Sequence, residues 1–255
     1  MANWEHLILL TKGAPLWNEW RDRYQTQPDL SGINLAKLDL SGFNLGRTNF
    51  TRSDLSFTNL YRCRLSQANM TRTNLIGAHL AGSDLSWSTL IGARLIGTQL
   101  MAANLVGCAM LGAKLTYADC VESNLTGADL SRTDCSRALF VGANFKQAQL
   151  VNANFQQANL ERTDLRRTNA RSADFTEATL LHAFVERTNF TGAILINTQL
   201  SPDQLRYLTF DAVQQGAIVA GVGSAIANGL SFEHFEFEQE DETSPRTEAV
   251  ANGNR

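Results

Sequence analysis

The residues able to do acid-base or metal chemistry are scattered along the chain rather than grouped. The four histidines, His6, His79, His182 and His234, are far apart in sequence, and most Asp and Glu residues occupy one recurring position before an apolar residue. Acid-base and nucleophilic catalysis need groups that converge in a cleft. This distribution predicts no catalytic residue, no metal site and no cofactor, so the chain is expected not to be an enzyme.

The cysteines raise redox chemistry as a second hypothesis. Cys63, Cys108, Cys120 and Cys135 lack the C-x-x-C spacing of zinc and redox sites. All four fall on inward positions of the repeat described below, where cysteine serves as a small apolar residue. We therefore expect reduced thiols that fill the core.

Arginine is the charged residue that clusters most closely. Arg162, Arg166, Arg167 and Arg171 form a candidate basic patch that could attract an acidic partner. Acidic residues are interspersed among them and no aromatic platform lies beside them in sequence, which argues against nucleic acid as the partner. A solvated basic face without a partner is the favoured interpretation, and partner binding is the alternative.

Charge divides the 255-residue chain into a mildly basic body and an acidic end. Residues 30–200 carry 16 Lys and Arg against 12 Asp and Glu, or +4, whereas residues 201–255 carry 3 against 9, or −6. The first residues lack the basic start of a signal peptide. No apolar stretch approaches the roughly 20 residues that a spanning helix needs. The sequence predicts a cytoplasmic protein without a membrane segment.

A five-residue period dominates the chain between Leu30 and Leu200. Every fifth residue in this range is a central residue of the period, and 34 of these 35 residues are Leu, Phe, Met, Val or Cys. The residue two before each centre is almost always small, and the residue between them is usually Asn or Asp. Because a period of five fits neither the turn of a helix nor the alternation of a strand, the chain must bend once per repeat.

This period carries a resemblance to a known family. Runs of the form A-[DN]-L-x-x recur in one unbroken register, as in Ala68-Asn69-Met70, Ala128-Asp129-Leu130, Ala143-Asn144-Phe145 and Ala158-Asn159-Leu160. In these runs the chain strongly resembles the pentapeptide-repeat proteins. The resemblance implies an all-β solenoid, a right-handed quadrilateral β-helix of about nine coils with about 20 residues in each.

The undersized central residues support a coil of four sides. In such a coil each centre lies under the residue 20 positions later, which pairs every small centre with a phenylalanine: Cys120 with Phe140, Cys135 with Phe155 and Ala170 with Phe190. Close-packed interiors favour large side chains over small ones. The volumes therefore agree with the architecture that the resemblance implies.

An apolar row on the outer surface is the strongest candidate for a binding site. The residue after each centre should face solvent, yet positions 20 apart give an apolar ladder of Tyr61, Ala81, Met101, Val121, Val141, Glu161 and Leu181. Ile76, Ile91, Ile96, Val106 and Leu111 widen this ladder in the middle of the stack. A contiguous apolar patch indicates an interaction surface, so the candidate partner interface is Tyr61, Met101, Val121, Val141, Leu181, Ile96 and Leu111. Scattered surface apolar residues, or cover by the terminal segment, are the alternatives.

The non-repeating ends resemble caps. The sequence predicts an N-terminal helical cap over residues 1–27, the β-helix over 28–200, a C-terminal helical cap or dimer contact over 201–230, and a disordered acidic tail over 231–255. The first cap contains two predicted helices, Asn3 to Thr11 and Pro15 to Tyr24, and its Trp17-Asn18-Glu19-Trp20-Arg21 string is similar to segments of cyanobacterial pentapeptide-repeat proteins. The third segment begins with a capping box at Ser201-Pro202-Asp203-Gln204. End coils need such cover because they expose unpaired backbone.

Two functional classes follow from these observations. The favoured hypothesis is a non-enzymatic protein-protein interaction scaffold, regulatory in role, whose homodimer would form through the C-terminal segment or the apolar ladder. The alternative, which the family resemblance raises, is a DNA mimic that binds and protects DNA gyrase or another topoisomerase. Such a mimic needs a strongly acidic rod, whereas residues 30–200 have a charge of +4.

Overall fold

The computed structural model describes residues 3–24 and 26–207. Helix α1 spans Trp4–Leu10 and helix α2 spans Ala14–Arg23. The repeats follow, and a 3-10 helix over Pro202–Tyr207 ends the described chain. Most of the segment predicted as a second cap and all of the predicted tail lie outside the described residues. Within the described ranges, no helix is long and apolar enough to cross a membrane.

Each pentapeptide forms one short extended side followed by a two-residue turn. The residue before each centre forms a parallel β-bridge with the residue 20 positions later, from Asp29 with Asn49 to Thr179 with Gln199. Backbone hydrogen bonds keep the same offset, as when Leu105 N donates to Asn124 O over 2.7 Å. Four pentapeptides therefore make one coil of a repeat solenoid, which agrees with the predicted register.

The turns use a left-handed backbone conformation at their second residue. The φ angle there ranges from 52° at Arg62 to 72° at Gly42. Glycine adopts this conformation without the Cβ clash that other residues meet. Eleven of the 18 glycines occupy the position, as the sequence predicts, but Arg, Gln, Glu and aromatic residues share it.

The core is a continuous column inside the four sides. Every central residue from Leu30 to Leu195 is buried, and so is the small residue two positions earlier along most of the stack. Most buried hydroxyl groups at that small position donate to a carbonyl, either 23 residues earlier, as Thr98 Oγ1 does to Leu75 O at 2.8 Å, or three residues earlier, as Thr133 Oγ1 does to Leu130 O at 2.6 Å. These bonds offset the cost of placing polar groups in the core.

The small centres lie one coil below phenylalanine, as the volumes predict. Cys120 N donates to Leu139 O over 2.7 Å, which sets this cysteine beneath Phe140. The phenylalanines of the C-terminal half also contact one another, and the rings of Phe155 and Phe175 stack with centroids 5.2 Å apart. Close packing of large and small residues thus continues through several coils.

Helix α2 contacts backbone groups that have no coil beneath them. The buried Trp17 donates from Nε1 to Asn44 O at 2.8 Å. Asn18 Oδ1 accepts from Asn44 N at 2.7 Å, and its Nδ2 donates to Gly42 O at 3.1 Å. Arg21 donates from Nη2 to the carbonyl of Gly46 over 2.7 Å. The bonds to Asn44 N, Asn44 O and Gly46 O replace hydrogen bonds that a preceding coil would supply.

Ser201 and Gln204 perform the same task at the other end of the described repeats. Gln204 Nε2 donates to Leu180 O and Ala183 O, each at 2.7 Å. Ser201 N donates to Gln204 Oε1 at 2.6 Å, which is one of the two bonds of the predicted capping box. The Ser201 hydroxyl instead accepts from His182 N at 2.9 Å, and the helix that follows is a 3-10 helix.

Candidate protein-interaction surface

The turns stack into four edges that run along the solenoid. Edge A contains the turns after the centres Leu60, Leu80 and Leu100 and their equivalents 20 residues apart; edges B, C and D contain the turns that follow five, ten and fifteen residues later. Edge A therefore neighbours edges B and D and lies diagonally across from edge C. Every outward turn residue can be assigned to one of these edges from its number.

The predicted ladder occupies edge A. Gly82 N donates to Met101 O and Ala102 N to Val121 O, each at 2.9 Å, so the members of the ladder stack in successive coils. Their exposure is uneven. Tyr61 and Met101 are 37% and 42% exposed, whereas the ladder's other apolar residues are half-buried or buried: Ala81, Val121, Val141 and Leu181.

Two residues of the predicted interface lie on other edges. Ile96 is on edge D, next to the ladder, and is half-buried. Leu111 is exposed on edge C with Ile91, diagonally across the solenoid, because two further pentapeptides after Met101 turn the chain through two sides. The expectation that Leu111 widens the ladder is therefore wrong, since one flat surface cannot contact both.

An uncharged belt encircles the middle of the stack. We define the belt as residues 73–113, a stretch of 41 residues whose charged members are Asp84 and Arg94. Apolar turn residues occupy every edge within it: Ala81 and Met101 on edge A, Trp87 and Val106 on edge B, Ile91 and Leu111 on edge C, and Ile76 and Ile96 on edge D. The apolar surface is therefore a ring rather than a single row. A long stretch with few charged residues is the sequence signal that indicates the belt, whereas a single row of residues 20 apart does not.

Trp87 is the largest exposed side chain of the belt. It is 66% exposed at the left-handed turn position of edge B. Its indole ring lies over Gly107 of the next coil, where an added Cβ would meet ring atoms at 2.5 Å. Phe57 covers Gly77 in the same manner on edge D. The absence of a side chain on each glycine lets the aromatic ring lie flat on the edge.

The predicted basic patch is spread over three edges of one coil. Arg162 lies on edge A, Arg166 and Arg167 on edge B, and Arg171 on edge C. Arg166 forms two bonds to Asp164, from Nε at 2.9 Å and from Nη2 at 2.6 Å. Only Arg166 and Arg167 share a surface, so the four residues do not form one patch.

A shallow depression on edge B gathers a different set of cations. It is lined by Thr126, Lys146, Gln147, Arg166, Arg167, Glu186 and Arg187. Lys146 contacts Asp164 at 3.0 Å. Burial acts to raise the pKa of Asp164, but hydrogen bonds from Arg166 and Lys146 outweigh it and hold this pKa below its usual value. The acids in and beside the depression balance part of its positive charge.

The side chains able to do chemistry remain apart. Among the described residues, no three His, Cys, Asp or Glu side chains come together in a way that could hold a metal ion. His6 Nδ1 accepts from Asp29 N at 3.0 Å, and the ring of His79 stacks on Tyr61 at 5.4 Å. The four cysteines are buried and unpaired as thiols. His234 lies outside the described residues.

Solved structures that are similar to this chain include pentapeptide-repeat proteins and a plasmid-mediated resistance protein. HetL, involved in heterocyst differentiation regulation in the cyanobacterium Nostoc sp. strain PCC 7120, is 25% identical, covering 78% of this chain and 96% of its own, with a TM-score of 0.40. Full-length QnrB1, a plasmid-mediated fluoroquinolone resistance protein, is 17% identical over 76% of this chain and 99% of its own, with a TM-score of 0.49. A protein of the Arabidopsis thaliana thylakoid lumen is 38% identical over 41% of this chain and 70% of its own, with a TM-score of 0.28.

The sequence itself gives the family assignment. No curated protein matches the chain by sequence. The family model for pentapeptide repeats matches in eight copies, over residues 29–67, 68–107, 102–132, 128–167 and 171–201. These matches cover well over half of the chain and coincide with the coils described above, and the chain therefore belongs to the pentapeptide-repeat family.

Proposed function

We propose that this chain is a non-enzymatic, regulatory scaffold that binds a protein partner through the belt. The observation that carries the proposal is the ring of apolar turn residues within 41 residues that hold two charges. The cores of protein interfaces are depleted of charged residues and enriched in aromatic residues and methionine. Trp87 and Met101 supply both residue types on neighbouring edges.

The shape of the belt also limits how a partner would bind. Edges A and B are separated by one side of the solenoid, and neither edge alone presents more than a few exposed apolar side chains. A stable interface buries on the order of 800 Å² on each partner. We infer that the partner contacts at least two neighbouring edges, so it must curve around the solenoid instead of lying flat on the ladder.

The proposal can be tested by capture from the native lysate with three forms of the chain. Met101→Glu/Leu111→Glu places charges in the belt on opposite edges, and Val141→Glu/Leu181→Glu is the matched control on the ladder outside the belt. We expect the belt variant to capture at least about tenfold less of the specific partner than the wild type does, since a buried unpaired charge costs more than 1.4 kcal/mol of binding free energy. The control should retain the partner. If both variants retain the partner equally, the belt is excluded as its binding site. If both lose the partner equally, the result favours the whole ladder on edge A as the binding site.

The DNA mimic remains the alternative function. Its requirement for an acidic rod is opposed by the +4 charge of residues 30–200. A supercoiling assay separates the two proposals, because a mimic would inhibit or protect gyrase at stoichiometric concentration, whereas a scaffold of the proposed kind would leave supercoiling unchanged. The cytoplasmic location stays a prediction.

We further propose that the helices act as caps on a right-handed stack of about nine coils. The bonds of Asn18 and Arg21 to the first coil support this role at one end. The bonds of Gln204 to the carbonyls of Leu180 and Ala183 support it at the other. Unpaired end coils would otherwise invite end-to-end association.

A further inference from the structure

The positive charge of the body is concentrated in a basic collar beside the belt. We define the collar as Arg47, Arg52, Arg62, Arg64 and Arg72, which with Asp54 are the charged residues between positions 45 and 75, so that their sum of +5 and −1 equals the +4 of the whole of residues 30–200. All five guanidinium groups belong to exposed residues. None of the five forms an ion pair with another residue in the described part of the chain.

The collar and the belt meet on the side between edges A and B. Arg62 lies on edge A over the ring of Tyr61 at 5.1 Å, Arg64 lies on the side itself, and Arg47 lies on edge B. Above them, toward the C-terminal coils, come the exposed Met101 and the exposed Trp87. The two edges that border this side therefore change from basic to apolar along the axis of the solenoid, whereas the side itself carries Asp84 and Asn104 within the belt.

One acid lies on this side of the belt. The backbone of Asp84 forms a parallel β-bridge with that of Arg64. The Asp84 Oδ1 atom accepts from Ser86 N at 3.1 Å and from Asn104 Nδ2 at 2.9 Å. These bonds hold its carboxylate against the turn. The side as a whole keeps an excess of positive charge at its collar end.

A complementary segment exists in the same chain. Residues 232–242, which lie outside the described residues, read Phe-Glu-His-Phe-Glu-Phe-Glu-Gln-Glu-Asp-Glu, with three aromatic rings first and an acidic cluster last. The described chain ends at Tyr207, beside the coil to which Gln204 is bonded. From that end of the solenoid, the belt comes before the collar. In the segment, phenylalanines that alternate with glutamates precede the acidic cluster, and along edges A and B the apolar belt residues likewise precede the arginines of the collar.

The connection is long enough for the segment to reach this side. Ala183, which Gln204 contacts, and Cys63, beside Arg64, are six coils apart at 20 residues per coil, or roughly 29 Å at the usual strand spacing. The 24 residues from 208 to 231 can span up to about 79 Å when extended. The segment can therefore reach the side between edges A and B of its own chain, and a second copy of the chain is not required.

We propose that residues 232–242 bind in cis along the side between edges A and B. Their phenylalanines pack on Trp87 and Met101, and their acidic cluster contacts Arg62 and Arg64. Opposite charges on a short tether attract at the high effective concentration that an intramolecular contact provides. The contact does not depend on the proposed partner, but it would cover part of the belt that this partner uses.

Photocrosslinking of the full chain tests this contact directly. Phe235→p-benzoylphenylalanine is irradiated in three backgrounds: the wild-type body, Arg62→Glu/Arg64→Glu, and the charge-swapped Arg62→Glu/Arg64→Glu/Glu240→Arg/Glu242→Arg. We expect a link within one chain to the belt, mapped by mass spectrometry, with a yield that falls about fivefold on charge reversal and returns on swapping. Arg162→Glu/Arg171→Glu, at the other end of the solenoid, should not change the yield.

Three results would overturn the proposal. A link that forms between two chains, with a yield rising with protein concentration, would assign the segment to a second copy. Links confined to residues 130–200 would place it elsewhere on the solenoid. A yield that charge reversal leaves unchanged would remove the collar as its binding site, provided that circular dichroism shows each variant to be folded.

Discussion

At the scale of single residues, the fold depends most on glycine at turns where an aromatic ring of the preceding coil lies against the glycine. Gly107 and Gly112 have the same φ of 65°, but a Cβ on Gly107 would lie 2.5 Å from the Trp87 ring, whereas a Cβ on Gly112 would meet nothing within 4 Å. A substitution at Gly112 therefore reports backbone strain alone, whereas the same substitution at Gly107 reports strain together with a packing clash. The same distinction holds between Gly77, which lies under Phe57, and Gly97, which is open.

We predict that Gly107→Ala destabilises the protein more than Gly112→Ala. Both changes place a side chain at positive φ, which costs about 1 kcal/mol, and Gly107→Ala must also displace the indole ring. Thermal unfolding should show the lower midpoint for Gly107→Ala, and adding Trp87→Ala should remove the difference. Equal midpoints for the two single variants would show that the ring does not rest on Gly107.

The cysteines give a second prediction at this scale. Burial raises the pKa of the Cys63 thiol to about 12, of Cys108 to about 11 and of Cys135 to about 12, and raises that of Cys120 well above its usual value. Because the thiolate is the reactive form, a thiol reagent at pH 8 should modify none of the four in the native protein and all four in denaturant. Arg72→Cys, at an exposed turn position, serves as the reactive control. Rapid labelling of a native cysteine would contradict the burial described here.

At the scale of elements, the Asn or Asp before each centre stabilises the turn that follows. The Asp54 carboxylate accepts from the hydroxyl and the amide of Ser56, and these bonds lower its pKa from 3.8. Asp39 accepts from the amide and hydroxyl of Ser41 with the same effect on its pKa. Turns that follow an Asn or Asp are thus closed by a side chain of their own pentapeptide.

This arrangement predicts a loss of stability in acid. A carboxyl whose folded pKa is below its unfolded value stabilises the fold fully above that value, and the contribution disappears as pH falls through the folded pKa. The thermal midpoint should therefore decrease below about pH 4. Asp39→Asn/Asp54→Asn keeps an acceptor oxygen that cannot titrate, so its midpoint should decrease less. An identical acid profile for variant and wild type would exclude these two turns as contributors.

The contact of helix α2 with the first coil predicts a local effect. Asn18→Ala removes the acceptor for Asn44 N and the donor for Gly42 O, which leaves two backbone groups without their partners. Hydrogen exchange at the Asn44 amide should accelerate at least about tenfold, while the Leu105 amide in the middle of the stack should keep its rate. Unchanged exchange at Asn44 would mean that the helix does not protect this coil.

At the scale of the whole molecule, the period predicts the interior better than the surface. Repetition of a large and a small residue determines which side chains point inward, and the volumes of Cys120, Cys135 and Ala170 support the 20-residue register that the family resemblance implies. The outward residues obey no such constraint. Which of them become neighbours depends on the number of sides between them around the coil, and for this reason Leu111 lies diagonally across from the ladder instead of beside it. The belt does not follow from the period, because a stretch with few charged residues is not periodic.

The charge pattern along the solenoid adds a second level of organisation. A basic collar is followed by an uncharged belt and then by coils in which acids and bases alternate with no net charge from residue 114 to residue 200. Charge of this kind guides encounter and orientation more than it adds affinity. Under the proposed function, the apolar belt would supply the area for binding, and the collar at one border would orient an acidic ligand.

Hydroxyl-radical footprinting of the chain with its captured partner is the most direct test of the belt. Side-chain oxidation is compared between the free and bound protein. The account predicts that protection falls on at least two neighbouring edges within residues 73–113, with Met101 and Trp87 among the protected side chains, while Val141 and Leu181 are oxidised equally in both states. Protection along edge A from Tyr61 to Leu181, or none within the belt, would contradict it.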